Sequence, residues 1–252
     1  MTTRAKYRGP DQAFYDDATF ETLAQMSALQ FCEDFVGAGH GAGIPAAGSP
    51  VVGYPWVKKI VGAAPPTVAL VANAAGGQVA LTLTSASQKQ DAVLYWNDNL
   101  GLDVTKSAQF EARAAASVVP SGAGVQLVLG LAAAWIDGPD NNTFYLEFGC
   151  TASGALLCRS QDGVTQNSLP AAQIGGAAIT LDTNFHIFRI ACENLADIAF
   201  MLDGNRVNAV GSIAFAATGA NTILQPYLAV YKPSGTGVAT LTVDKVDAFT
   251  DR

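Results

Sequence analysis

The chain has 252 residues, half of them hydrophobic and only 14% charged, with a formal net charge of −7. That length and apolar content suit one large core, and abundant Gly, Ala, Val and Thr suit short strands rather than helices. The acidic balance, with Lys58-Lys59 as the longest basic run, argues against nucleic acid or an anionic lipid surface as partner.

Residues 1–30 differ from the rest. Arg4, Lys6 and Arg8 come first, then Asp11, Asp16 and Asp17. No apolar run long enough to cross a bilayer follows, and no signal-peptide core, so a reducing cytoplasm is the expected place of synthesis. A short helix with Asp17 as N-cap would put Phe20, Leu23, Ala24 and Leu29 on one side. The segment reads as an extended or partly helical arm, either a frayed terminus or a segment that docks on a neighbouring subunit. In the docking case Arg4, Lys6, Tyr7, Arg8, Phe14, Tyr15 and Phe20 are its contact residues.

From residue 31 to 252 no composition break divides the chain. Phe31–Val36 reads as a first strand, 37–50 as a Gly/Ala-rich loop and Tyr54–Val61 as extended chain. Val79, Leu81 and Leu83 alternate with smaller residues, and Val93–Trp96 and Phe110–Ala114 follow as strands. Val125–Trp135 is apolar on both faces, the pattern of a central strand covered on two sides. After the polar loop Asp137–Asn142, Phe144, Leu146, Phe148 and Cys150 alternate with Tyr145, Glu147 and Gly149. Leu156–Arg159 is another strand, and 167–183 is loose. Ile187–Cys192 and Ile198–Leu202 alternate again, and Asp203-Gly204 supplies the positive φ of a tight hairpin. Ile223–Tyr231 and Ala239–Phe249 end the series. Twelve to fourteen strands without a long helix predict an all-β, two-sheet antiparallel sandwich with an N-terminal arm.

Chemistry is sparse. No Gly-x-Ser-x-Gly elbow is present, and the only imidazoles are His40, in a Gly loop, and His186, expected to be structural. Cys32, Cys150, Cys158 and Cys192 lack Cys-x-x-Cys spacing and are expected to be buried free thiols. No cofactor is expected. Asp137, Asp140 and Asn141 offer oxygen donors for calcium, against the plainer reading of a capped polar turn. Glu111 and Glu147 are the carboxylates most able to meet across strands for glycoside hydrolysis. Trp56, Trp96 and Trp135 are each more naturally core than sugar platform.

His186-x-Phe188-Arg189-Ile190, Ile198-x-Phe200-x-Leu202-Asp203-Gly204 and Leu241-Thr242-Val243-Asp244-x-Val246 are similar to concanavalin A-like (laminin-G-like) jelly rolls. The resemblance spans roughly 31–249 and implies that Phe31–Val36 and Ala239–Phe249 lie side by side. The segments Ala134–Asn141 and Gln225–Gly237 also resemble tailed-bacteriophage virion proteins. That resemblance implies a non-enzymatic capsid decoration protein on the virion surface, with the major capsid protein and its own copies as partners. The alternative it leaves open is a lectin-like module for a surface glycan.

Overall fold

The computed structural model describes residues 3–8, 11–16, 22–25, 29–36, 43–172, 176–208 and 211–251. Strands β1 (Thr3–Arg8), β2 (Asp11–Asp16) and β3 (Thr22–Gln25) form a small antiparallel sheet in that order. Its register sets Arg4 opposite Tyr15, Lys6 opposite Ala13 and Ala5 opposite Phe14. Leu23 and Ala24, expected on a helix, are instead in β3, where pairing with β2 supplies the backbone partners that so short a helix could not sustain. Asp17 and Phe20 lie outside the described residues.

The remaining strands are β4 (Leu29–Glu33), β5 (Val57–Val61), β6 (Thr67–Leu70), β7 (Val79–Thr82), β8 (Gln90–Tyr95), β9 (Leu102–Asp103), β10 (Gln109–Val118) and β11 (Gln126–Ala132). They continue as β12 (Phe144–Cys150), β13 (Leu156–Asp162), β14 (Gln166–Pro170), β15 (His186–Ala191), β16 (Ala199–Leu202), β17 (Asn205–Arg206), β18 (Ile223–Lys232) and β19 (Thr240–Thr250). Sheet one runs β17-β16-β15-β10-β19-β7-β6, with β4 also on β19; sheet two runs β14-β13-β12-β11-β18-β8-β5, with β9 also on β18. The first and last strands of the sandwich are neighbours, with Phe31 opposite Ala248.

The core lies between the sheets because each strand's alternate residues point there. Phe148 of sheet two meets Phe188 and Phe200 of sheet one edge-on, at ring separations of 5.3 and 5.1 Å. Phe188, Ile190 and Cys192 point inward as their alternation predicts. Asp203 and Gly204 both take positive φ, +49° and +77°, closing the β16–β17 hairpin. Asn167–Pro170, most of β14, lies in the stretch 167–183 read as loose; it pairs with β13 as an edge strand, an arrangement set by the neighbour rather than by hydrophobic pattern.

Cys150, Cys158 and Cys192 are buried free thiols, but Cys32 is exposed. The register sets it opposite Asp247, on the outward side of β19, so the expected burial fails there. Lys232 is buried and donates to the carbonyls of Thr84, Ala86 and Gly237 at 2.6, 2.8 and 3.1 Å, tying two loops to the end of β18.

Candidate functional site on the outer face of sheet two

The outer face of an antiparallel sandwich sheet is ordinarily washed by solvent. Sheet two departs from this. All seven residues of β11 are buried, and Val57, Val93, Tyr95, Val128, Ala132, Tyr145, Tyr227 and Ala229 form a second apolar cluster on its outward side. The two-sided apolar run Val125–Trp135 was the sequence signal of this second layer.

A segment of the chain itself covers the face. The connection between β11 and β12 starts at Ala132, yet Asp140 accepts from Gln126 Nε2 at 2.8 Å and pairs with Arg159 at 2.9 Å. Gln126 opens β11, six residues and about 20 Å from the loop's root. Residues 133–143 therefore fold back along the sheet as a strap. Gly138 N–H donates to Asp91, Asp137 pairs with Lys89, and Trp135 N–H donates to Asp98 Oδ1 at 2.7 Å. Asn141 donates to the Asp137 carbonyl.

Beneath the strap, the ladder register aligns Val57, Tyr95, Tyr227, Gly130, Glu147, Arg159 and Ser168 in one row across seven strands. Glu147 is 2% exposed and Arg159 6%, and they pair at 2.7 Å. Arg159 also donates to Gln126 Oε1 at 3.1 Å. Two glycines make room: a Cβ on Gly149 would lie 2.7 Å from Arg159 Nε, and one on Gly130 would lie 2.7 Å from the Glu147 Cα. Burial pushes the Glu147 carboxyl up to about 7, with Arg159 pulling the other way. Burial likewise raises Asp91 to about 7, opposed by the Gly138 N–H. Not every polar atom in this layer is satisfied: the buried Tyr227 hydroxyl and Arg159 Nε have no hydrogen-bond partner.

The structure separates several residues that the sequence suggested might act together. Glu111 sits on the outer face of sheet one, bound to Arg189, while Glu147 is on the outer face of sheet two, so the two never meet. Asp91 and Glu147 share a face but are three strands and four residues apart, roughly 19 Å between Cα atoms, well beyond glycosidase spacing. Asp137, Asp140 and Asn141 serve Lys89, Arg159 and their own loop, and among the described residues no three acidic, His or Cys side chains converge for a metal. His186 is held by Asp203 at 2.7 Å and Asp182 at 3.0 Å on the side of sheet one. His40 is outside the described residues, as are the side chains of Arg4, Lys6, Tyr7, Arg8, Phe14 and Tyr15.

Of the three indoles, Trp56 and Trp96 are buried with Phe31 in an edge-on cluster at one end of the core. Trp135 is on the strap and partly exposed, with Lys59 Nζ 4.7 Å from its ring centroid. Ile136 beside it is exposed. Sequence reasoning missed Asp91, Gln126, Arg159 and Tyr227, which lie on four different strands and come together only through register.

No protein-family model matches the sequence, and no curated protein matches it. Solved structures do match its fold. The carbohydrate recognition domain of Emp47p aligns at 11% identity with a TM-score of 0.52, over 83% of this chain and 95% of that chain. The metal-free carbohydrate recognition domain of Emp46p aligns at 6% identity with a TM-score of 0.51, over 79% and 89%. A conserved carbohydrate esterase of the Shiga toxin-encoding bacteriophage phi24B aligns at 14% identity with a TM-score of 0.48, over 83% and 97%. At these identities the likeness is one of architecture: the chain shares the two-sheet antiparallel β-sandwich of these domains.

Proposed function

We propose that the chain is a non-enzymatic carbohydrate-binding module whose ligand face is the outer side of sheet two with its strap. The observation that carries this reading is Trp135. It is the one indole left partly open, and it stands between Lys59 and the carboxylates of Asp91 and Asp98. A sugar that takes the place of Lys59 over this ring would stack its C–H face there while its hydroxyls donate to the bordering carboxylates. Neighbours described as carbohydrate recognition domains support the same reading, which favours the lectin-like alternative over capsid decoration.

Hydrolysis is disfavoured because the two carboxylates that do come together here, Glu147 and Asp140, are both held by the same Arg159 guanidinium. A glycan array and titration calorimetry test the proposal. The wild-type chain should retain at least one glycan class, and Trp135→Ala should weaken it by about tenfold or more. An array without hits, or equal binding by Trp135→Ala, would overturn it. The virion setting, with the major capsid protein and copies of this chain as partners, follows from sequence resemblance alone; mass spectrometry of purified virions tests it.

A further inference from the structure

We infer that strap 133–143 is a displaceable cover, and that the row beneath it takes a neutral, hydroxyl-rich group such as a sugar diol rather than an anionic one. This rests on the carbohydrate-binding reading and adds the location and charge class of the deeper subsite.

The contents of the covered layer carry the argument. A cover meant only to seal a hydrophobic face would be met by apolar side chains. Here, beside the apolar cluster, Glu147, Arg159, Gln126 and Asp91 are buried as well, and the strap reaches them with polar groups: the Asp140 carboxylate and the Gly138 N–H. Such contacts can be exchanged for a ligand's hydroxyls, and a sugar's C–H face can take the place of the Trp135 ring against the apolar cluster. The latch sits at the strap's far end, where the Asp140 side chain is 56% exposed and the Asp137–Lys89 pair also faces solvent. Gly138, with φ +87° and Pro139 after it, marks the bend just before the latch.

Charge class follows from what is already paired. Arg159 is shared between Glu147 and Asp140, Lys89 is taken by Asp137, and Lys59 lies over the Trp135 ring. Among the described residues, Arg159 and Lys89 are thus already matched by carboxylates, and acidic side chains outnumber the cations of this layer. Among the described residues the unpartnered buried atoms of this layer include the Tyr227 hydroxyl, Arg159 Nε and Trp135 Nε1, with Asp91 Oδ1 and Asp137 Oδ1 as acceptors. Single donors and acceptors spaced along a row of strands match the hydroxyls of successive units of an oligosaccharide. An anion brought here would meet Glu147, Asp140, Asp91 and Asp137 and be repelled.

Hydrogen–deuterium exchange on the full chain, read by mass spectrometry, tests the inference. The probes are neutral gluco-, manno- and galacto-oligosaccharides, with a sialylated oligosaccharide as the anionic arm. Peptides spanning 133–143 should exchange well before those of β11 and β18, and a bound neutral probe should change strap exchange. Asp140→Asn, which weakens the latch without altering the row, should speed strap exchange and raise apparent affinity severalfold, since more of the population is open. Tyr227→Phe should weaken neutral-probe binding about five- to tenfold while leaving the melting temperature within about 2 °C. If a neutral glycan binds and Trp135→Ala abolishes it, yet the strap exchanges only with global unfolding and Tyr227→Phe binds normally, this inference fails and the carbohydrate reading stands. If only the sialylated probe binds, the charge argument fails. If no probe binds, the carbohydrate reading fails and this inference with it.

Discussion

Arg159 is the residue whose removal discriminates most sharply among accounts of the covered layer. Arg159→Met deletes the partner of Glu147, which is 2% exposed, and the cation that holds Asp140 on the strap. Breaking a buried pair from one side strands a charge, which costs about 3–5 kcal/mol. For a chain of this length each kcal/mol shifts the melting temperature by about 2–4 °C, so a fall of roughly 6–20 °C is expected. The loss has a pH signature. Glu147 titrates at about 7 in the folded chain against an ordinary value of 4.5, so the folded state holds its proton more tightly than the unfolded state. The stability linked to that proton is present at low pH and lost as pH rises through the folded value. Without Arg159 that value moves higher still, and the deficit of the variant should be about 1–2 kcal/mol larger at pH 8 than at pH 6. Guanidinium denaturation at both pH values, on Arg159→Met, Glu147→Gln and the double variant, measures the coupling. The double variant should recover most of the loss, because no ion is then left unpaired. A single-variant loss below about 1 kcal/mol, or a double variant no better than Arg159→Met, would refute the reading of Glu147 as a buried ion held by Arg159.

Gly130→Ala drives a methyl group into the Leu146 carbonyl and to within 2.7 Å of the Glu147 Cα, so β11 and β12 must part; a loss of about 2–3 kcal/mol by chemical denaturation is expected, and one below 0.5 would contradict the packing. His186 is raised above its ordinary 6.5, chiefly by its hydrogen bond to Asp203 and further by Asp182. Its stabilising contribution is therefore full below about 6.5 and lost as pH rises through the folded value. With partners that are 42% and 56% exposed, it should stay under about 1 kcal/mol. An imidazole resonance titrating at or below 6.5 in the folded chain would show that the two carboxylates do not hold an imidazolium.

Strand alternation was legible without a structure wherever one face had to be apolar and the other not. Phe188, Ile190 and Cys192, the Asp203-Gly204 turn, and the pairing of the Phe31 and Ala248 strands all followed from pattern or resemblance. The arm misled because a short segment with a capping residue satisfies helix rules locally, whereas β2 offers Thr22–Gln25 a ladder that no local rule records. Trp135 looked like its two buried counterparts because sequence carries no information about which indole a folded-back loop will lift to the surface.

The amino-acid order by itself determined that two layers of alternating chain would form and that β11 would be covered on both sides, because apolar side chains must leave water whatever their partners. Only the tertiary structure decided what does the covering. The strap reaches Gln126 and Arg159 because strand register, a property of pairing rather than of any one segment, stacks residues from β8, β11, β12, β13 and β18 on one face. Charge pairs formed over such separations in sequence leave no local trace, and on them the candidate site depends.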